Sequence, residues 1–220
     1  MSVVLQNAWL LLDGLWVTVQ VTIGAGVVAL ALAFVAGLSR LSRYGAVRTA
    51  ALCYIEFFRG TSALVQLFWL FFALPFLGIT LSPMTAGIVG LGLCVGAYGA
   101  EVVRSAVLAV PKGQIESAVA LNLTSFQTMR YVVLPQAVRM MIPPFGNLFI
   151  ELLKITSLVS LITLQDLTFQ AASINAVSLK TVQIFSTVLV LYFLLSLVIT
   201  GVMRLLERRF GRGFQKAGAL

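Results

Sequence analysis

Histidine is absent from all 220 residues, and acidic residues number only seven. The first absence removes Ser-His and Cys-His catalysis, histidine metal ligation and ordinary haem ligation together. Cysteine is scarce: Cys53 and Cys94 each stand alone in an apolar run, without a second ligand nearby. Neither a disulfide framework nor a zinc site is readable there, and a buried packing role is expected of both. No catalytic residue and no metal site is therefore assigned. The opening stretch, MSVVLQNAWLLLDG, lacks the basic region and small-residue cleavage site of a signal peptide. It is expected to remain on the mature protein as a short interfacial segment, with Trp9 and Trp16 in an aromatic belt.

Charge is sparse, at 10% of residues, while 60% are hydrophobic. A soluble domain of this length needs a far more charged surface, so the expected solvent is a lipid bilayer. The formal net charge of +8 does not point to nucleic acid, because the basic residues form no aromatic-laced patch. They lie between long apolar runs, which is the positive-inside pattern.

Gly14 to Ser39 carries no charged residue and is long enough for a spanning helix. A second span is expected from about Thr49 to Leu74, with Glu56 and Arg59 in its first half. Pro75, Gly78 and Pro83 make the next turn, and a third span runs from about Met84 to Arg104. After a stretch of mixed polarity, Pro143-Pro144 is expected to open a fourth span reaching about Leu164. LQDLTFQAASINAVSLK reads as a polar loop, and Thr181 to Met203 as an uncharged last span. The expectation is an all-α polytopic membrane protein of about five spans. Arg40, Arg43, Arg48, Arg104, Lys112, Arg130, Arg139, Arg204, Arg208, Arg209, Arg212 and Lys216 gather on one side, against Lys180 on the other. That side is expected to be cytoplasmic, which puts the N-terminus outside and the C-terminus inside.

Three membrane segments pair an acid with a base three residues later: Glu56/Arg59, Glu101/Arg104 and Glu151/Lys154. Residues i and i+3 share a helix face, so each pair can neutralise itself in lipid. Such pairs either tether helices and snorkel near the boundary, or face a polar pathway. Glu101/Arg104, closest to the interface, suits the first reading. Arg59, Gln66, Glu151, Lys154, Thr156 and Ser157 are candidates for the second.

The segment from about 105 to 142 carries the most specific pattern. Pro111-Lys112-Gly113 makes a turn, and Gln114 to Leu121 is built of helix formers with Ile115, Ala118 and Val119 on one face. Asn122 interrupts it. Thr124 to Gln127 reads as a capping box that starts a second helix through Phe126, Met129, Arg130 and Val133, ended by Leu134-Pro135. Two short helices meeting at Asn122 are more than a connector needs, and suit a docking element.

Glu116-Ser117-Ala118, then Asn122, then Val132-x-Leu134-Pro135 resembles the EAA loop of bacterial ABC importer permeases, with the spacing matched at every element. Glu56-Phe57-Phe58-Arg59-Gly60-Thr61 with Val65-Gln66-Leu67, Pro111-Lys112-Gly113-Gln114 and Leu134-Pro135-Gln136-Ala137 are similar to motifs of the polar amino-acid branch. Lys154-Ile155-Thr156-Ser157-Leu158 resembles its K-D-T-S-L element. GTSALVQLFW, GAYGAEVVRS, ALNL and PPFGNLFIELLK look most like the ectoine/hydroxyectoine permeases.

The resemblance implies a single transmembrane domain over residues 1–220, with the importer-permease (MetI-like) fold. It also implies the bacterial cytoplasmic membrane and a small zwitterionic cargo, ectoine first and a polar amino acid as the alternative. Implied partners are cytoplasmic ABC ATPase subunits, a second permease that is a relative rather than a copy, and an extracytoplasmic solute-binding protein. The residues implied at the ATPase contact are Glu116, Ser117, Ala118, Leu121, Asn122, Arg130, Leu134 and Pro135. No cofactor is expected on this chain. It has no G-x-x-x-x-G-K-[ST] cradle, so ATP and Mg²⁺ fall to the ATPase. Four departures from the family pattern stand out: Asn122 replaces glycine, Ser117 an alanine, Ser62 a proline and Ile155 an aspartate. A stand-alone secondary transporter is the more distant alternative, although the chain shows no internal repeat.

Overall fold

The computed structural model describes residues 2–211, which leaves Arg212 and Lys216 outside the described residues. Among those described, every regular element is helical. After one short turn of helix, α1 (Ser2–Gln6), the first long helix α2 runs over Ala8–Ser39. The expected interfacial stretch is thus helical but interrupted at Asn7, and its part from Ala8 onward belongs to the first long helix. α3 (Gly45–Gly60) and α4 (Ala63–Phe68) follow, and α4 continues as a π-turn at Trp69–Ala73 and a 3₁₀ turn at Leu74–Leu77. The third span is α5 (Pro83–Leu108), and α6 (Lys112–Ala120) and the single turn α7 (Ser125–Gln127) come after it. A π-helical segment at Thr128–Val133 then leads into α8 (Leu134–Ile155), which tightens into a 3₁₀ helix at Thr156–Ile162. α9 (Leu167–Ser178) and α10 (Thr181–Gly211) complete the bundle. Four segments are long and apolar enough to cross a membrane, and the bent α3–α4 pair makes a fifth.

α2 and α5 form the axis of the bundle. A Cβ placed on Gly92 would lie 2.6 Å from Val28 Cγ1, and one on Gly99 would lie 2.8 Å from Ala33 Cβ. On α2, a Cβ at Gly37 would meet the Ala100 carbonyl at 2.7 Å. Small residues let the two backbones approach where lipid supplies no hydrophobic drive for association. α8 packs across this axis through Phe145 and Phe149, whose rings stack with centroids 6.2 Å apart.

Four expectations need correction. The second span is not one rod, because α3 and α4 are bent by 105°. Thr61 and Ser62 both adopt extended backbone, which swings the chain between two helical pieces. The fourth span does not begin at Pro143-Pro144, since both prolines lie inside α8. Nor does Leu134-Pro135 end the preceding helix. Pro135 lacks an N–H and its ring crowds the carbonyl four residues back, and the wider π-turns at Thr128–Val133 accommodate both within a continuous helix. Finally, the supposed polar loop holds α9, whose Leu167, Ala171 and Ile174 pack against Leu11, Ile184 and Val188. Its short apolar stripe is diluted by Thr, Gln, Ser and Asn on the other face, which hid the helix.

Asp166 starts α9. Its fully buried carboxylate accepts from the backbone N–H of Phe169 at 3.0 Å and of Thr168 at 3.2 Å. Burial pushes its pKa up to about 6, against the opposing pull of those hydrogen bonds.

Two outcomes are expected. Gly92→Val should destabilise the folded protein by about 1–3 kcal/mol through overpacking, whereas Gly60→Ala, with open space around it, should not; melting in detergent micelles distinguishes them. For Asp166 the folded pKa lies above the ordinary value of 3.8, so the native state holds its proton more tightly than the unfolded chain. Its contribution is therefore lost as pH rises from about 4 through about 6. Asp166→Asn should flatten the melting temperature across that window and leave the variant ahead of the parent above it.

Candidate functional site

Two places in the fold concentrate polar chemistry. The first is the α6–α7 turn. Asn122 has φ +55°, the left-handed region, and sits just past the end of α6. The Asn122 N–H donates to the Val119 carbonyl at 2.9 Å and the Leu123 N–H to Ala118 at 3.1 Å, the two bonds of a Schellman ending. Asparagine tolerates this backbone better than other residues with a Cβ. Thr124 then opens the next helix: its Oγ1 accepts from the Gln127 N–H at 3.3 Å, and the Gln127 carboxamide accepts from the Thr124 N–H at 2.8 Å. The expected capping box is present.

Burial in this hairpin differs from expectation. Only Ala118 of the expected face is buried, and α6 leans on the π-helical segment. Ile115, Val119, Leu121 and Phe126 are exposed, so the tip presents an apolar surface to the outside. Glu116, Ser117 and Arg130 are exposed on the same hairpin, with the Ser117 hydroxyl donating to the Gly113 carbonyl at 2.7 Å. The Arg130 guanidinium lies 6.0 Å from the Tyr131 ring centroid. Leu134 and Pro135 lie in the helix that carries on from this hairpin.

The second place is the break between α3 and α4. Gln66 is buried beneath it and stitches it: Nε2 donates to the Phe58 carbonyl at 3.0 Å and to Thr61 Oγ1 at 2.6 Å. The Thr61 hydroxyl in turn donates to the Phe57 carbonyl at 2.8 Å. A cavity of about 240 Å³ opens beside the break, lined by Thr61, Ser62, Tyr98, Glu151, Ile155 and neighbours on α5 and α8. The Arg59 guanidinium lies 5.4 Å from the centroid of the Tyr98 ring. Tyr98 thus touches Arg59 and shares the cavity wall with Glu151.

Of the three acid–base pairs, the one ion pair found among the described residues is Arg104 Nε to Glu101 Oε2 at 2.9 Å. Arg59 turns to Tyr98, and Glu56, Glu151 and Lys154 are exposed on the flank of the chain without an ion-pair partner. Thr156 is fully buried, its hydroxyl donating to the Leu153 carbonyl at 2.7 Å, and Ser157 donates to Lys154 at 2.9 Å. Both hydroxyls help turn α8 into its 3₁₀ continuation. Tyr98, Thr61 and Ser62 were not foreseen at this cavity. An aromatic three residues before Glu101, and two hydroxyls directly after Gly60, are the signals that point there.

The family described as binding-protein-dependent transport system inner membrane component matches residues 26–212. A probable amino-acid ABC transporter permease of Sinorhizobium fredii is 48% identical, covering 88% of this chain and 84% of that protein. The glutamine transport system permease of Escherichia coli is 38% identical, covering 91% and 92%. A solved structure, of an amino acid ABC transporter with histidines, superposes with a TM-score of 0.87 at 34% identity, covering 93% of this chain and 96% of that one.

Because Gln66 holds both ends of the break, Gln66→Leu should leave the Phe58 carbonyl and Thr61 without their partner. Leaving such groups unsatisfied costs about 1–3 kcal/mol, and melting in lipid nanodiscs should show the loss, with Gln66→Glu, whose carboxylate cannot donate to the Phe58 carbonyl, losing at least as much.

Proposed function

Because the chain belongs to the family of binding-protein-dependent transport system inner membrane components, we infer that it is the permease subunit of an ABC importer for a polar amino acid. The similar amino-acid and glutamine permeases favour the amino-acid alternative over ectoine. One observation carries the site: Glu151 lines the cavity beside the α3–α4 break and Arg59 stands against its Tyr98 wall, neither of them joined in an ion pair. A charge facing lipid at mid-bilayer costs about 2.5–3.5 kcal/mol, so Glu56, Arg59, Glu151 and Lys154 belong on a polar path. A second permease subunit, a relative of this chain, closes that path on its far side.

At the cavity, Glu151 is suited to an ammonium group and Arg59, held on Tyr98, to a carboxylate. Ile155, which stands where the amino-acid branch keeps an aspartate, lines the same cavity one turn from Glu151. The carboxylate is thus supplied from the next turn of the same helix.

The whole chain acts as one transmembrane domain in the bacterial cytoplasmic membrane, N-terminus outside and C-terminus inside. The Asn122 hairpin seats in an ATPase subunit, which holds the ATP and Mg²⁺, and a solute-binding protein delivers cargo from outside. Glu116 and Arg130 orient the hairpin, Leu121 supplies apolar contact, and Asn122 shapes the turn. Leu134 and Pro135 begin the rod behind it.

The test is uptake into proteoliposomes holding the permease pair and ATPase, with the binding protein outside. ATP-dependent uptake of a polar amino acid is expected, with ectoine failing to compete. Glu151→Gln should lower uptake about tenfold or more, since a charge-assisted hydrogen bond is worth roughly 1.5–3 kcal/mol. Asn122→Val should leave the protein in the membrane but uncouple hydrolysis from transport, because a β-branched residue resists φ +55°. Uptake of ectoine alone, or transport without the ATPase, would overturn the assignment.

A further inference from the structure

A groove of about 540 Å³ runs along the flank of the bundle between α2, α8 and α10, away from the cavity at the break. Its walls are aliphatic, with Val27 and Leu30 on α2 and Val198 and Val202 on α10, and Phe149 of α8 contributes a ring. Thr22 supplies the one hydroxyl on the lining, and it donates to the Thr18 carbonyl at 2.8 Å. Nothing on the wall is therefore free to donate to a polar solute.

The length of the groove is informative. On α2 the lining runs from Val19 to Leu30, and on α10 from Leu195 to Leu206. Each stretch is about 16 Å long, close to one leaflet of a hydrocarbon core roughly 30 Å thick.

At the end nearer the C-terminus of α10 the lining gives way to cations. Arg209 stands one turn beyond Leu206, on the groove side of α10. Gly146 of α8 lies against Met203 of α10, and Arg139 stands two turns before Gly146 on that same face. α8 runs antiparallel to α10, so both arginines lie about 10 Å from the Gly146–Met203 crossing in the same direction. Both are exposed, and neither has an ion-pair partner among the described residues. Glu207, the acid on this stretch of α10, lies on the opposite side of the helix from Arg209.

We propose that this groove is a specific site for an anionic glycerophospholipid, with one acyl chain along α2 and α10 and the phosphate between Arg139 and Arg209. The apolar wall accounts for the chain, its length for a single leaflet, and the two arginines for the charge of the headgroup. Lipid that merely surrounds a membrane protein would not discriminate by headgroup. This site does.

The test uses the assembled permease–ATPase complex in phosphatidylethanolamine vesicles. These are doped at equal mole fraction with phosphatidylglycerol or phosphatidylcholine carrying a photoactivatable acyl chain. Mass spectrometry then locates the labelled peptides. Several-fold stronger labelling by phosphatidylglycerol is expected on the peptides holding Val27–Leu30 and Val198–Val202. Arg139→Gln with Arg209→Gln should reduce it to the phosphatidylcholine level, and Val198→Trp, which fills the groove, should lower labelling by both lipids. Should the double variant fail to assemble, Arg209→Gln alone, near the end of α10, reads the same ratio. Equal labelling by the two headgroups would overturn the proposal. So would an unlabelled groove in which Val198→Cys crosslinks to the second permease, since a protein helix would then be the occupant.

Discussion

The whole arrangement rests on the close approach of α2 to α5. Gly92 and Gly99 on one helix and Gly37 on the other remove the side chains that would hold the backbones apart. Within lipid this matters more than hydrophobicity, because hydrocarbon tails are as apolar as the helices they surround. Once that axis is tight, other elements gain fixed surfaces. The Phe145 ring packs against Gly99 and the Phe149 ring against Gly26, which seats α8 across both helices. At the other end of α2, Gly14 leaves room for the backbone of Asp166 and Leu167, and Thr18 Oγ1 accepts from the Leu167 N–H at 3.2 Å. The path into α9 is thereby fixed.

A second constraint follows from the continuity of the helix through Pro135. From Ser125 to Glu151 the chain is helical without a break, a distance of about 39 Å at 1.5 Å per residue. The apolar tip beside Asn122 and the cavity wall at Glu151 are therefore two ends of one element. The two are joined by helix alone, although Pro143 and Pro144 lie inside it. The π-turns at Thr128–Val133 are the price of keeping that rod intact where proline would otherwise kink it. By contrast, α3 and α4 are divided by Thr61 and Ser62, so the opposite wall of the cavity is jointed.

Much of this was legible in the sequence, wherever a local signal had a local cause. The capping box at Thr124 and Gln127 and the turn at Asn122 depend on residues within one helical turn, and both are present. The apolar runs reported the spans for the same reason. The break at Thr61 was not legible, because a charge-free count of apolar residues is blind to two extended residues followed by a buried glutamine. α9 was missed because its buried stripe is only three residues deep. Pro143-Pro144 misled because proline usually marks the first turn of a helix, whereas here the surrounding helix tolerates both. The similarity to amino-acid permeases favours the amino-acid alternative over ectoine.

The charged pairs show most clearly why spacing alone underdetermines a membrane site. Glu56/Arg59, Glu101/Arg104 and Glu151/Lys154 are identical as patterns, yet only the last-but-one closes, at 2.9 Å. Tyr98 explains part of the difference. Its ring offers Arg59 a face at 5.4 Å, which draws the guanidinium away from Glu56 along the wall of the cavity. Glu101 and Arg104, one turn further along α5, lie on packed helix and have no such competitor nearby. An aromatic ring one helix away thus gives Arg59 a partner other than Glu56. In lipid an unpaired charge is costly, and Arg59, Glu151 and Lys154 have no ion-pair partner among the described residues.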